Sequence, residues 1–319
     1  MILFKKILPL VLFLFGCKSE APKLVAHLIE KPNTQSAVHE FDGEKAYEIL
    51  KDQVSFGPRV PNTYAHQQCL NFLEMELKQY ADKVKLQNFT DIAYDNQTLK
   101  LTNIIASFKP KTEKRILLCA HWDSNPWASQ DSVLKNRSKP IPGANDGASG
   151  VAVLLEIARI LKSNPPLIGV DIVLLDGEDF AHSNDISAFL RGSKYFAKHI
   201  ETPFIPEYGI LLDMIGDKQL EIPKEGYSMK YAPDIVEKVW SVAKDLNMSQ
   251  FVDETQSEII DDHLPLNQAG IRTIDLIDFN YPDATNKYWH TLQDTPDKCS
   301  PESLEAVGKV LLHLIYNEF

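Results

Sequence analysis

Histidine and carboxylate recur in this chain where apolar runs end. The run 115–120 leads into His121 and Asp123, the run 170–175 into Asp176, Gly177, Glu178 and Asp179, and the run 208–212 into Asp213. Asp146 follows a Gly/Ala/Asn-rich stretch, and Asp261-Asp262-His263 and Trp289-His290-Thr291 come later. Taken alone, each has an ordinary explanation. An isolated acidic turn is usually solvated, a single histidine usually packs or faces water, and Asp146 at the head of a helix reads equally well as an N-cap. Taken together they point to chemistry. Carboxylates crowded on one turn repel one another, and a bound cation or a raised pKa offsets that repulsion. Imidazole and carboxylate without thiolate suit zinc in a catalytic site, with one position left for water or substrate.

Such residues converge only if the elements carrying them share an edge. Helical pattern is read at residues 43–54 and 64–80, and an alternating pair of strands at 84–89 and 99–108 with Asp95-Asn96 as the turn. From residue 115 onward, strands at 115–120, 170–175, 208–212 and 271–277 alternate with helices at 146–161, 190–199, 234–246 and Pro301–Asn317. Ser300 is the natural N-cap of the last helix. The alternation predicts a single α/β domain with a central mixed, mostly parallel β-sheet flanked by helices, the early hairpin extending one edge. In such a sheet the carboxyl ends of the strands form one ligand-binding edge.

Composition sets the outer bounds. The chain has 319 residues, 44% hydrophobic and 24% charged, with a formal net charge of −11. That balance is ordinary for a globular domain, and the acidic surplus argues against a nucleic-acid partner. Lys5 and Lys6 precede an apolar stretch at residues 7–15, too short to span a bilayer, which takes about 20 residues. Residues 1–16 read as an export signal. Leu14-Phe15-Gly16-Cys17 resembles a lipoprotein cleavage box, which implies a lipid on Cys17, a tether at residues 17–39 and a location outside the cytoplasm, on a bacterial membrane facing periplasm or surface. A plain secretory signal is the alternative. The domain is placed at residues 40–319. Cys119 is expected to be buried, and nothing supports a Cys69–Cys299 bridge.

The motifs Ala120-His121-Trp122-Asp123-Ser124, Gly143-Ala144-Asn145-Asp146-Gly147-Ala148-Ser149-Gly150, Gly177-Glu178-Asp179, Leu212-Asp213-Met214-Ile215-Gly216, Asp262-His263-Leu264-Pro265 and Trp289-His290-Thr291 resemble, in order, those of the zinc-dependent exopeptidase-like superfamily that holds bacterial aminopeptidases and animal-type glutaminyl cyclases. Trp289 before His290, the paired Asp261-Asp262 and the aromatic segment His121–Trp127 look like the cyclases. Asp179 departs from the glutamate usual there, and the loop after it lacks a tryptophan that walls the mammalian pocket. The resemblance implies that Asp146, Asp179 and His290 bind one Zn²⁺, which polarises the side-chain amide of an N-terminal glutamine. Glu178 then serves as general acid/base, with its pKa raised by its carboxylate neighbours and lowered by the metal. Asp213 and Asp261 would share a proton as a bonded pair. Trp289, Tyr281 and Trp127 are the candidate pocket walls, with ordinary packing the alternative for the last two. Trp122 is expected beneath His121, His263 as loop support, His182 as a bystander and Asp176 as structural. The expected activity is glutaminyl-peptide cyclotransfer on peptides or proteins beginning with Gln. The alternative is an aminopeptidase with two zinc ions, to which His121 and Asp213 would also be ligands. A third reading, a lipoprotein that only binds peptides, is disfavoured because each expected ligand and acid/base position holds a competent residue.

Overall fold

The structure, a computed structural model, describes residues 40–181, 188–200 and 205–317. The chain enters through α1 (Gly43–Ser55) and α2 (Tyr64–Tyr80), where Asp42 and Thr63 each accept a bond from the backbone N–H three residues on, the usual device for the orphan donors of a helix start. There follow the hairpin β1 (Lys83–Ile92) and β2 (Thr98–Phe108), then β3 (Arg115–His121), α3 (Ala148–Ser163), β4 (Gly169–Leu175), α4 (Arg191–Lys198) and β5 (Gly209–Asp213). After these come β6 (Ile222–Lys224), α5 (Gly226–Tyr231), α6 (Pro233–Asp245), β7 (Phe251–Thr255), α7 (His263–Gln268), β8 (Thr273–Ile277) and α8 (Pro301–Asn317). Ser300 Oγ accepts from Ser303 N and caps α8 as expected.

The main sheet has six strands in the order β1-β2-β4-β3-β5-β8. β4, β3, β5 and β8 run parallel, and the hairpin adds two antiparallel strands at one edge. This is the mixed, mostly parallel sheet that the alternation of elements calls for. Every residue of β3 and β4 is buried, as uninterrupted apolar strands require when both faces are covered. Alternate side chains serve two cores. Ile116, Leu118 and Ala120 meet α1, α2, α3, α6 and α8 on one face. Leu117 and Cys119 meet Phe196 of α4 and Leu266 of α7 on the other. Cys69, Cys119 and Cys299 are buried free thiols.

Three features depart from the sequence reading. α3 begins at Ala148 with Gly147 as its cap, so Asp146 lies ahead of the helix and caps nothing. Trp122 does not pack beneath His121. Successive strand side chains point to opposite faces, and the Trp122 ring stacks on His66 at 4.3 Å. The short parallel ribbon of β6 and β7 has no counterpart in the sequence pattern, because the three residues of β6 are too few to show a period,. Residues 1–16, the tether 17–39, Cys17 and His182 lie outside the described residues. No described helix is long and apolar enough to cross a membrane.

Candidate metal and catalytic site

The carboxyl ends of β3, β4 and β5 meet as the topology requires. β3 delivers His121. The turn after β4 delivers Glu178 and Asp179. Gly177 makes that turn possible at φ +73, with a position where a Cβ would meet Leu101 at 2.9 Å. Asp123 fixes it: its carboxylate accepts from Glu178 N at 3.1 Å and Asp179 N at 3.2 Å. Asp146 is fixed by Asp294, which accepts from Asn145 N at 2.8 Å and Asp146 N at 3.2 Å. His290 adopts φ +51 and Met214, beside Asp213, φ +50. That left-handed backbone costs a non-glycine residue about 1–2 kcal/mol and marks places where surrounding structure dictates the conformation.

Asp146, Asp179 and His290 offer ligand atoms within 4.8 Å of one another. His290 Nε2 lies 3.2 Å from Asp179 Oδ1 and 3.4 Å from Asp146 Oδ2. Asp146 Oδ2 and Asp179 Oδ2 are buried without a hydrogen bond, and a buried carboxylate oxygen left so is expensive. Two orphaned oxygens beside an imidazole are the donor set a zinc ion takes, so the residues fit the metal. A second group, His121, Asp146 and Asp213, lies next to the first, with His121 Nε2 3.3 Å from Asp146 and 3.1 Å from Asp213.

The electrostatics say the same. Burial pulls the His290 imidazole down, and the Asp179 and Asp146 carboxylates outweigh it, lifting it to about 10. A carboxylate field that strong would equally hold a divalent cation. Burial also acts on Asp146, but the His121 and His290 imidazoles beside it bring its carboxyl below the usual range. Burial and then the Asp179 charge push Glu178 well up, the direction an acid/base carboxyl needs. Burial raises Asp213 to about 6, and burial with the Asp213 charge raises Asp261 to about 7.

These groups line one cavity of about 430 Å³. Asp146, Glu178, Asp179, Asp213, Asp261, Trp127, Trp289 and His290 all face it, with Phe279 and Ile259 among the apolar walls. The Trp289 ring stacks on His290 at 4.1 Å and meets Phe279 edge-on at 5.0 Å. Trp127 packs edge-on against Phe180 and Tyr94. Tyr281 is not a wall. It is 0% exposed, and its hydroxyl donates to Asp294 at 2.9 Å. Its role is to steady the group that holds Asp146. Nor do Asp213 and Asp261 bond each other. Asp213 faces His121, and Asp261 Oδ1 accepts from Asp262 N at 2.5 Å. Asp176 is structural as expected, accepting from His66 at 2.9 Å and Thr102 N at 2.6 Å.

Asn125 and Arg59 are among the groups that sequence reasoning missed. Asn125 donates to Asp179 Oδ1 at 3.0 Å beside His290. Arg59 is fully buried and ties the loop after β3 to the loop before Asp146, donating to the carbonyls of Trp122, Pro142 and Gly143. An arginine in a Gly-Pro loop carries no spacing signal that would mark it.

The model of peptidase family M28 matches residues 103–315. The chain belongs to peptidase family M28. As a member of M28 it is similar to a solved glutaminyl cyclase of Bacteroides thetaiotaomicron bound to N-acetylhistamine, at 45% identity and TM-score 0.84, over 88% of this chain and 99% of that one. It is also similar to a Zn-dependent exopeptidase from Parabacteroides distasonis, at 41% identity and TM-score 0.84, over 88% and 100%. The aminopeptidase YwaD of Bacillus subtilis is 26% identical over 297 residues, 86% of this chain and 57% of that protein. The chain therefore spans a little over half the length of that curated relative. Membership of M28 and the donor set agree on zinc as the metal.

Proposed function

We propose that this chain is a glutaminyl-peptide cyclotransferase acting on peptides and proteins that begin with Gln. The observation that carries it is Trp289, stacked on the metal-side His290 and walling the cavity beside Glu178. The 45% identity to a glutaminyl cyclase supports it. Asp146, Asp179 and His290 would hold one zinc per chain. When bound, zinc supplies Lewis-acid polarisation of the glutamine side-chain amide. The substrate α-amine attacks its own side-chain carbonyl carbon, so most of the entropy of approach is already met within the substrate. Glu178 takes a proton from the amine and returns it to the nitrogen that leaves as ammonia. The new C–N bond closes a five-membered lactam as the old one breaks. Asp213 and Asp261 orient the amine and the leaving amide, and Trp289 and Trp127 exclude water.

A second reading follows from the His121, Asp146 and Asp213 group, which would make a two-zinc aminopeptidase. One experiment separates them. The zinc-loaded protein is given a Gln-initiated peptide. Ammonia release with a loss of about 17 Da and about one zinc per chain supports the cyclase. Release of free Gln with about two zinc ions supports the peptidase and sinks the cyclase.

We also propose that the chain is exported and held on a membrane by lipid on Cys17, a reading supported by Lys5, Lys6 and the apolar stretch 7–15 for export and by the Leu14–Cys17 box for the lipid. Cys17→Ser should move the protein from the membrane to the soluble fraction. Unchanged membrane retention would contradict the anchor.

A further inference from the structure

Glu225 faces no cavity wall and takes no part in the chemistry above, yet it is fully buried and heavily bonded. Its Oε2 accepts from Ser228 N at 2.6 Å and Ser228 Oγ at 2.8 Å, and its Oε1 from Tyr227 N at 2.8 Å. Those bonds are helix capping, since Glu225 is the N-cap of α5,. Capping does not explain the rest. Oε1 also accepts from Ile259 N at 2.8 Å, on a different segment. His263 Nε2 stands 3.2 Å from Oε2, and its Nδ1 3.7 Å from Asp275 Oδ2. His263 and Asp275 are both buried. Asp275 is held from the same end of α5, its N–H donating to Ser228 Oγ at 2.9 Å. Ile259 and Asp261 are cavity walls, so one hidden carboxylate holds that segment at Ile259 and meets its other end at His263.

The neighbouring residue closes the frame. Ser193 of α4 donates to Asp262, and the start of α4 is tied to the Glu178 turn by Leu190 N, which donates to Glu178 O at 3.0 Å. Segment 259–263 is thus tied on one side to the turn that carries Glu178 and on the other to Glu225. We propose that Glu225 and His263 are positioning residues, a buried carboxylate–imidazole pair that holds the 259–261 wall, and with it the Asp261 carboxyl, in place in the cavity that Glu178 also lines. A buried pair gains most of its worth by not being broken: removing one partner strands the other. Here the stranded group adjoins the catalytic wall.

The inference rests on the cyclase reading for the role of Asp261, and the test keeps the two apart. Wild-type turnover of a Gln-initiated peptide is measured first. Glu225→Gln and His263→Gln should each lower kcat about 10- to 100-fold, with a smaller change in KM and unchanged zinc content. The double variant should be no worse than the poorer single, because both act through one unit. Turnover per folded, zinc-loaded molecule equal to wild type would overturn the proposal, as would losses that multiply. Asp275→Asn serves the same comparison if Glu225→Gln does not fold. If the wild type releases no ammonia, the cyclase reading fails by itself. Crystal structures of wild type and His263→Gln then decide the positioning: a displaced Asp261 carboxyl supports it, and an unmoved one overturns it.

Discussion

Glu178 and Asp179 are neighbours on one turn, yet the structure separates their work. Asp179 sets Oδ1 against His290 and leaves Oδ2 without a partner, while burial and the Asp179 charge push the Glu178 carboxyl well above its ordinary value. Glu178→Gln removes the proton carrier and leaves the metal-side donors intact. Turnover should fall about 10²- to 10⁴-fold with zinc retained, and a variant that still turns over would show the proton moving elsewhere. Asp123 works one step back, with one oxygen on each of the two amides. Asp123→Asn replaces one acceptor with a donor that faces an N–H. Zinc affinity should drop about 10- to 100-fold, measured by competition with a chelator.

At the scale of elements, the site depends on how helices begin. α3 starts from Gly147 at φ +97, where a Cβ would lie 2.3 Å from the Asp123 carbonyl oxygen. Gly147→Ala is strained in backbone and blocked in space. It should cost more than about 1 kcal/mol and impair zinc binding as well, read by thermal melting and metal content. α5 begins with Glu225. Burial alone would raise that carboxyl, but His263 and the backbone amides it accepts from bring it down to about 2. A depressed carboxyl stabilises the fold above its unfolded pKa, about 4.3, and loses that contribution as pH falls through its folded value. The stability gap between wild type and Glu225→Gln should therefore shrink as pH drops from about 4.3 toward 2. Denaturant titrations across that range check it, and a constant gap would remove the carboxylate as the cause.

For the whole molecule, core and site are separable. Two continuous apolar clusters cover the sheet on both faces, and the metal donors stand at one end of it. Chelating the zinc should abolish turnover and lower the melting temperature by mass action, while far-UV circular dichroism stays native. Restoring zinc should restore both. Loss of secondary structure on chelation would mean that the metal holds the fold.

Much was legible in the chain itself. Strand and helix order, the mixed sheet and the edge where His121, Asp146, Glu178, Asp179, Asp213 and His290 meet follow from local periodicity and from the rule that parallel strands end on one side. Those are properties of short windows and of topology. What only the tertiary structure decided are contacts between distant segments. Tyr281 turns inward to Asp294, Trp122 to His66, and Asp213 to His121 rather than Asp261. Arg59, Asn125 and Glu225 carry no motif, because a buried hydrogen bond leaves no spacing in sequence. It exists only where the packed backbone brings a donor within about 3 Å of an acceptor, and that distance is set by the whole fold at once.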